Sequence, residues 1–185
     1  CSYSLKDEAY HIPPDKGGGK VWLLHRLDAG TSGAILVADQ ETTAEEVKKA
    51  FAEHRVKKTY VALVFGGPKE SEAVWKDRIE AGGAGAGVWA GARMRVREKF
   101  QGKAGPMALL ELQPKTGRTH QLRIQCAQRD LPIVGDRTYG DFQKNRHFGT
   151  IAGADTFFLH SERIQLQVVG RPFDVLVPVP EYFKG

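Results

Sequence analysis

Eight short apolar runs, separated by polar or glycine-rich turns, dominate this chain, and only two stretches carry a helical repeat. Val21 to Leu24, Lys58 to Phe65, Ala73 to Ile79 and Met107 to Gln113 have the length and β-branched content of strands. Ala34 to Ala38 reads as the return arm of a first hairpin, and Arg93 to Phe100 alternates with period two. Near the end Ile164, Leu166 and Val168 alternate with polar residues. Gly170-Arg171-Pro172 then turns the chain, and Phe173, Val175 and Val177 continue an antiparallel partner. One helix is expected over about 44–54, where Thr43 and Glu46 form a capping-box signature ahead of Val47, Ala50, Phe51 and His54. The other runs from about 119 to 129 and must stop before Pro132. Strands that outnumber helices without alternating with them exclude a doubly wound parallel sheet. They predict an α+β domain, a mostly antiparallel mixed sheet flanked by short helices.

A chain of 185 residues fits one domain with a real core. Residues 1–20, with Pro13-Pro14, Gly17-Gly18-Gly19 and no periodicity, predict an irregular lead-in, leaving 21–185 as the domain. The chain begins at Cys1 without a signal-peptide pattern, so it reads as a fragment or processed chain of an intracellular protein, cytoplasmic or organellar. Cys1 and Cys126 form no framework, and six histidines without ligand spacing predict no metal site. The apolar runs are too short for a bilayer, so no membrane partner is expected, and a monomer is. A net charge of +5 tilts the expected partner toward a polyanion.

The chemistry concentrates in His25-Arg26-Leu27-Asp28-Ala29-Gly30-Thr31-Ser32-Gly33, a polar turn between two apolar runs that leaves Asp28 at the mouth of a core. Either Asp28 is a working carboxylate, or it caps its turn and pairs with a neighbouring arginine. A second feature is a ladder. Period two puts Arg93, Arg95, Arg97 and Lys99 on one strand face and Met94, Val96 and Phe100 on the other, which suits a phosphate-binding stripe or a solvated sheet face equally. Gly82 to Gly91 contains no phosphate-loop pattern and a basic strand follows it, so a flexible hairpin tip is expected there.

Four segments together resemble the RluA-type RNA pseudouridine synthases: HRLDxxTSG at 25–33, KxYxAxVxG at 58–66, TGRTHQLR at 116–123, and LPIVGD with Tyr139-Gly140. The resemblance spans roughly residues 21 to 180. It implies Asp28 as the catalytic residue, Arg123 as its partner, and Tyr60 as the aromatic that stacks on the target base and serves as a candidate general base. It further implies Arg26 as the side chain that fills the stack after the uridine flips out, and His25, Arg118, His120 and Leu122 around the substrate. An opposite charge within about 4–6 Å favours an ionised carboxylate, which sugar chemistry at C1′ needs. On a helix opened by Thr119, His120 and Arg123 project together while Leu122 points elsewhere. The implied partner is structured rRNA or tRNA, and no cofactor is implied. Residues 1–20 lack the Lys-Pro-x-Gly element usual in the family, and Gln125-Cys126 stands where a His and an apolar residue are usual. Two other readings compete: a catalytically silent RNA-binding module of the same fold, and a glycoside or nucleoside hydrolase, for which no second carboxylate stands at a recognisable spacing.

Overall fold

In a computed structural model, which describes residues 1–6, 8–80, 87–102, 104–152 and 156–184, the strands assemble into two sheets. The small sheet joins β1 (Ser2–Ser4), β2 (Ala9–His11), β3 (Lys20–Leu23) and β5 (Val37–Ala38). The lead-in expected to be irregular is therefore corrected: β1 and β2 pair antiparallel, and β2 pairs β3. Strands of three residues are too short to show a period in sequence, and pairing alone reveals them. Between β3 and β5 lies β4 (Ser32–Gly33), which leaves the hairpin to pair in parallel with the large sheet.

That large sheet orders β11 (Arg171–Leu176), β10 (Leu159–Val168), β6 (Lys57–Phe65), β9 (Gly105–Pro114), β8 (Val88–Gly102) and β7 (Glu72–Ile79), antiparallel throughout, with β4 alone parallel against β10. This is the expected mostly antiparallel mixed sheet. Along β6, Ala62 and Val64 enter one core with Leu110, Leu112, Met94 and Leu122, defining a front face. Val61, Leu63 and Phe65 enter another with Phe158 and Phe183, defining the back. A third core sits beneath α1 (Glu41–Ala52), where Ala44, Val47 and Ala50 meet Trp22, Leu36 and Ile164. This helix starts three residues earlier than expected, and its N-cap is Gln40 without a side-chain cap bond. Glu46 does not close a capping box; its carboxylate accepts from the Val169 amide in the β10–β11 turn at 2.8 Å.

Helix α2 (Gln121–Ala127) covers the front face and is shorter than expected at both ends. His120 precedes it in the left-handed region, and Asp130 beyond it also has positive φ. A third helix, α3 (Phe142–Ala152), occupies what reads in sequence as loop, its start held by Asp141 Oδ1 accepting from the Gln143 and Lys144 amides. Among the described residues no helix is long and apolar enough to cross a membrane. Ala81 to Ala86, with Gly82, Gly83 and Gly85 of the expected hairpin tip, lie outside the described residues, whereas Gly91 sits inside β8.

Candidate active site

A close backbone approach at Gly33 holds the end of the Asp28 turn against the large sheet, and a second such approach occurs at Gly135. Gly33 has φ 109°, and a Cβ there would overlap the Ser161 backbone, so the chain lies flat on β10 only with glycine at this position. Gly135 has φ 77°, and a Cβ there would overlap the Thr156 backbone. Ser32 Oγ meets His160 Nδ1 at 2.8 Å, while His160 Nε2 donates to the Val177 carbonyl, which fastens β4 from behind. The Asp28 carbonyl accepts from the Thr31 amide at 2.9 Å and closes the turn.

The turn opens on a cavity of about 300 Å³, at the lower end of small-ligand sites. Asp28, His25, Arg26, Tyr60, Arg118, His120 and Leu122 all line it, so one pocket collects seven of the eight residues that sequence assigns to catalysis and substrate. The eighth, Arg123, sits behind its wall with 8% of its side chain exposed, and its Nη1 lies 3.7 Å from Asp28 Oδ2. His120 projects from an N-cap in left-handed conformation, not from a helical turn, and Leu122 shares the pocket instead of pointing away.

What holds Arg123 was not assigned a role in sequence. Asp136 accepts from its Nε and Nη2 at 2.8 Å each, a two-pronged pair that leaves the Nη1 edge turned toward Asp28. Asp136 Oδ1 also accepts from the Thr138 and Tyr139 amides. Burial pushes the Asp136 carboxyl up, but Arg123 and those amides outweigh it and hold the group below its ordinary range. The bond to Asp136 correspondingly raises the Arg123 guanidinium, with the charge of Asp28 adding. The guanidinium lies between the rings of Tyr139 and Phe157, at 5.1 and 5.2 Å from their centroids, and Tyr139 Oη meets His120 Nδ1 at 3.1 Å.

Tyr60 stands on β6, opposite Leu112 of β9, and faces the pocket. Burial pushes its phenol up, the Ser161 hydroxyl across the strand pair opposes this, and the charge of Asp28 adds to it. The phenol is thus neutral near pH 7. His25 is pinned: its Nε2 accepts from the Leu36 amide at 2.9 Å and its ring stacks on Phe51 at 5.2 Å. Burial lowers its pKa, against a backbone hydrogen bond at Arg26. His25 is therefore a neutral wall of the pocket. Arg26 and Arg118 are exposed at the rim. Lys58, Phe51 and Thr31 also line the cavity, and Thr31 Oγ1 is buried without a hydrogen-bond partner among the described residues.

The basic ladder lies elsewhere. Arg95 opposes Glu111 and Arg93 opposes Gln113 on β9, and Glu111 in turn opposes Val61, so these side chains occupy the back face. A bulge between Val96 and Glu98 then shifts the register. Lys99 consequently opposes Ala108 of the front core and Phe100 joins the back core, which corrects the expected one-face ladder of four cations. Arg95 and Arg97 donate to Glu111, Arg97 also to Glu162, Arg93 pairs with Glu72, and Lys99 donates to the Pro68 carbonyl. Gln125 and Cys126, the family departure on α2, are both fully buried: Gln125 donates to Asp77, outside the pocket, and the Cys126 thiol is pushed up to about 12, which leaves it inert. Among the described residues no cluster of three His, Cys, Asp or Glu could hold a metal.

Residues 4–128 match the family model of RNA pseudouridylate synthases. The chain is 35% identical to tRNA pseudouridine synthase C of Vibrio cholerae, covering 92% of this chain and 78% of that protein. It is 34% identical to ribosomal large subunit pseudouridine synthase C of Vibrio parahaemolyticus, over 78% of this chain but only 47% of that protein. Among solved structures, human RNA pseudouridylate synthase domain containing 1 superposes with a TM-score of 0.74 at 30% identity, covering 84% of this chain and 68% of that one. The chain belongs to the RluA-type RNA pseudouridine synthases, isomerases that act on RNA.

Proposed function

We propose that this domain converts specific uridines of a structured RNA, ribosomal or transfer, into pseudouridine, with Asp28 as the catalytic carboxylate. The observation that carries this reading is the edge of Arg123 offered to Asp28 at 3.7 Å while Asp136 grips the other two nitrogens. A base must leave its stack to be reached, and extrusion costs a few kcal/mol that the protein offsets with stacking and backbone contacts. Arg26, exposed beside Asp28, fills the vacated position; Tyr60 stacks on the flipped uracil; His25, Arg118, His120 and Leu122 shape its seat.

The N1–C1′ bond then breaks, the uracil turns while bound, and C5 bonds to C1′. The C5 hydrogen leaves as a proton and N1 takes one up, so the reaction is an isomerisation that needs no oxidant, reductant or external group. Attack of Asp28 on C1′ and stabilisation of a cationic sugar both place an ionised carboxylate beside C1′. Unfractionated tRNA and rRNA carrying 5-³H-uridine provide the test, because C5 surrenders its tritium only if C5 becomes the glycosidic atom. Tritium in water is expected from the parent. No release from either pool supports a silent RNA-binding module, and free uracil would point to a hydrolase.

A further inference from the structure

Lys58 is a pocket cation with no carboxylate partner among the described residues, and unlike Arg26 and Arg118, which also lack an ion pair, it is not exposed at the rim. It stands on β6 two residues before Tyr60, so both side chains face the same cavity. It is half-buried, and no carboxylate lies within 4 Å of it among the described residues. Other part-buried cations of the domain differ: Arg97 has Glu111 and Glu162, Arg123 has Asp136, and Arg129 has Asp77. Its neighbours do not supply a charge. The ammonium lies 6.0 Å from the centroid of Phe51, and a Cβ on Gly117 would stand 3.6 Å from Nζ, so the loop passes close against it.

An ammonium taken partly out of water without a counter-ion is unfavourable, and burial accordingly lowers the pKa of Lys58. Such a group is retained at a loss of stability, which an anion supplied by a ligand would recover. Taking the uridine reading above as its basis, we propose that Lys58 binds a phosphodiester of the RNA, fixing the backbone beside the target nucleotide while Tyr60 fixes the base. The strand sets the geometry: residues two apart on β6 stand roughly 6.6 Å apart on one face, so base and backbone contacts come from a single rigid element.

Lys58→Met and Lys58→Arg test this, each also made with Asp28→Asn so that binding is read without turnover. Unfractionated tRNA is the probe, titrated over a range of salt. With Lys58→Met the slope of log K against log salt falls by about 0.7, the share of one single-strand contact. KM for tritium release rises about tenfold, or about 1.4 kcal/mol, while kcat changes much less. Lys58→Arg restores slope and KM. An unchanged slope and KM with Lys58→Met would overturn the proposal, as would a fall in kcat at constant KM, which marks a proton-transferring lysine instead. Because the binding arm reads Lys58 whether or not the parent releases tritium, failure of the isomerase reading shows separately.

Discussion

On the back of the large sheet, Glu111 receives Arg95 and Arg97 on one oxygen and Gln113 on the other; on the front, Asp28 has one arginine edge at 3.7 Å. Both regions pair arginine with carboxylate, across strands on the back and from α2 to a turn on the front, yet they do different things with the pairing. On the back Arg93, Arg95 and Arg97 each have a carboxylate close by. On the front Arg123 is committed to Asp136, so Asp28 is held near a positive charge without being consumed by it. The difference shows in exposure: Asp28 keeps 21% of its side-chain surface and Asp136 keeps 1%. Under the proposed function a reacting carboxylate needs free lone pairs, and a second, buried carboxylate that holds the arginine leaves Asp28 with them.

The sharpest way to break that division is to remove the buried member. Asp136→Ala removes the two-pronged partner of the buried Arg123 guanidinium, leaving it only the more distant Asp28, and is expected to destabilise the domain by about 3 kcal/mol. Denaturant unfolding measures this. Asp136→Asn has a pH signature as well. Because the folded carboxyl lies below its ordinary 3.8, its stabilisation is complete above 3.8 and is lost as pH falls through the lower folded value. Parent and variant stabilities should therefore differ by a constant amount at neutral pH and converge only below 3.8; convergence near pH 6 would contradict the assignment.

Next in size is Tyr60→Phe, which keeps the ring and removes a phenol. Loss of one acid–base group is worth about 10²–10⁴-fold in the chemical step, with RNA affinity retained. Single-turnover rates equal to the parent would reduce Tyr60 to a stacking platform. Lys58 adds a milder alkaline effect. Since burial lowers its pKa, its charge is lost at lower pH than the ordinary 10.5, and RNA affinity should decline there in the parent but not in Lys58→Met. The smallest effect belongs to the back face. Replacing Arg93 and Arg95, more than half exposed, by Gln should alter stability by no more than about 1 kcal/mol and leave the salt slope of RNA binding unchanged. A lower slope would extend the RNA surface around the sheet edge.

The parts of the site legible in sequence are those where one short segment carries both residue type and geometry. The HRLD turn displays Asp28 and Arg26 because it interrupts two apolar runs, and period two alone puts Tyr60 on one face of β6. Asp136 was not legible as the partner of Arg123, since the pair joins residues 13 positions apart through the packing of α2 on the sheet. Lys58 does not stand out in sequence, because the absence of a partner is a property of three dimensions. The Arg93 to Lys99 ladder failed for a local reason: alternation predicts faces only while the register holds, and one bulged residue turns Lys99 to the other side. α3 escaped because its exposed polar surface shows little apolar period, although Asp141 was its visible start signal.

The claim that one carboxylate works while the others hold arginines is tested most directly by a matched pair, Asp28→Asn and Glu111→Gln, each removing one negative charge next to an arginine. Single-turnover tritium release is measured at saturating 5-³H-uridine RNA, with thermal melts confirming that both variants fold. The account predicts that Asp28→Asn retains RNA affinity and falls below a thousandth of the parent rate, while Glu111→Gln stays within a few-fold of it. Turnover by Asp28→Asn above that thousandth, or an equal loss in both variants, would contradict it.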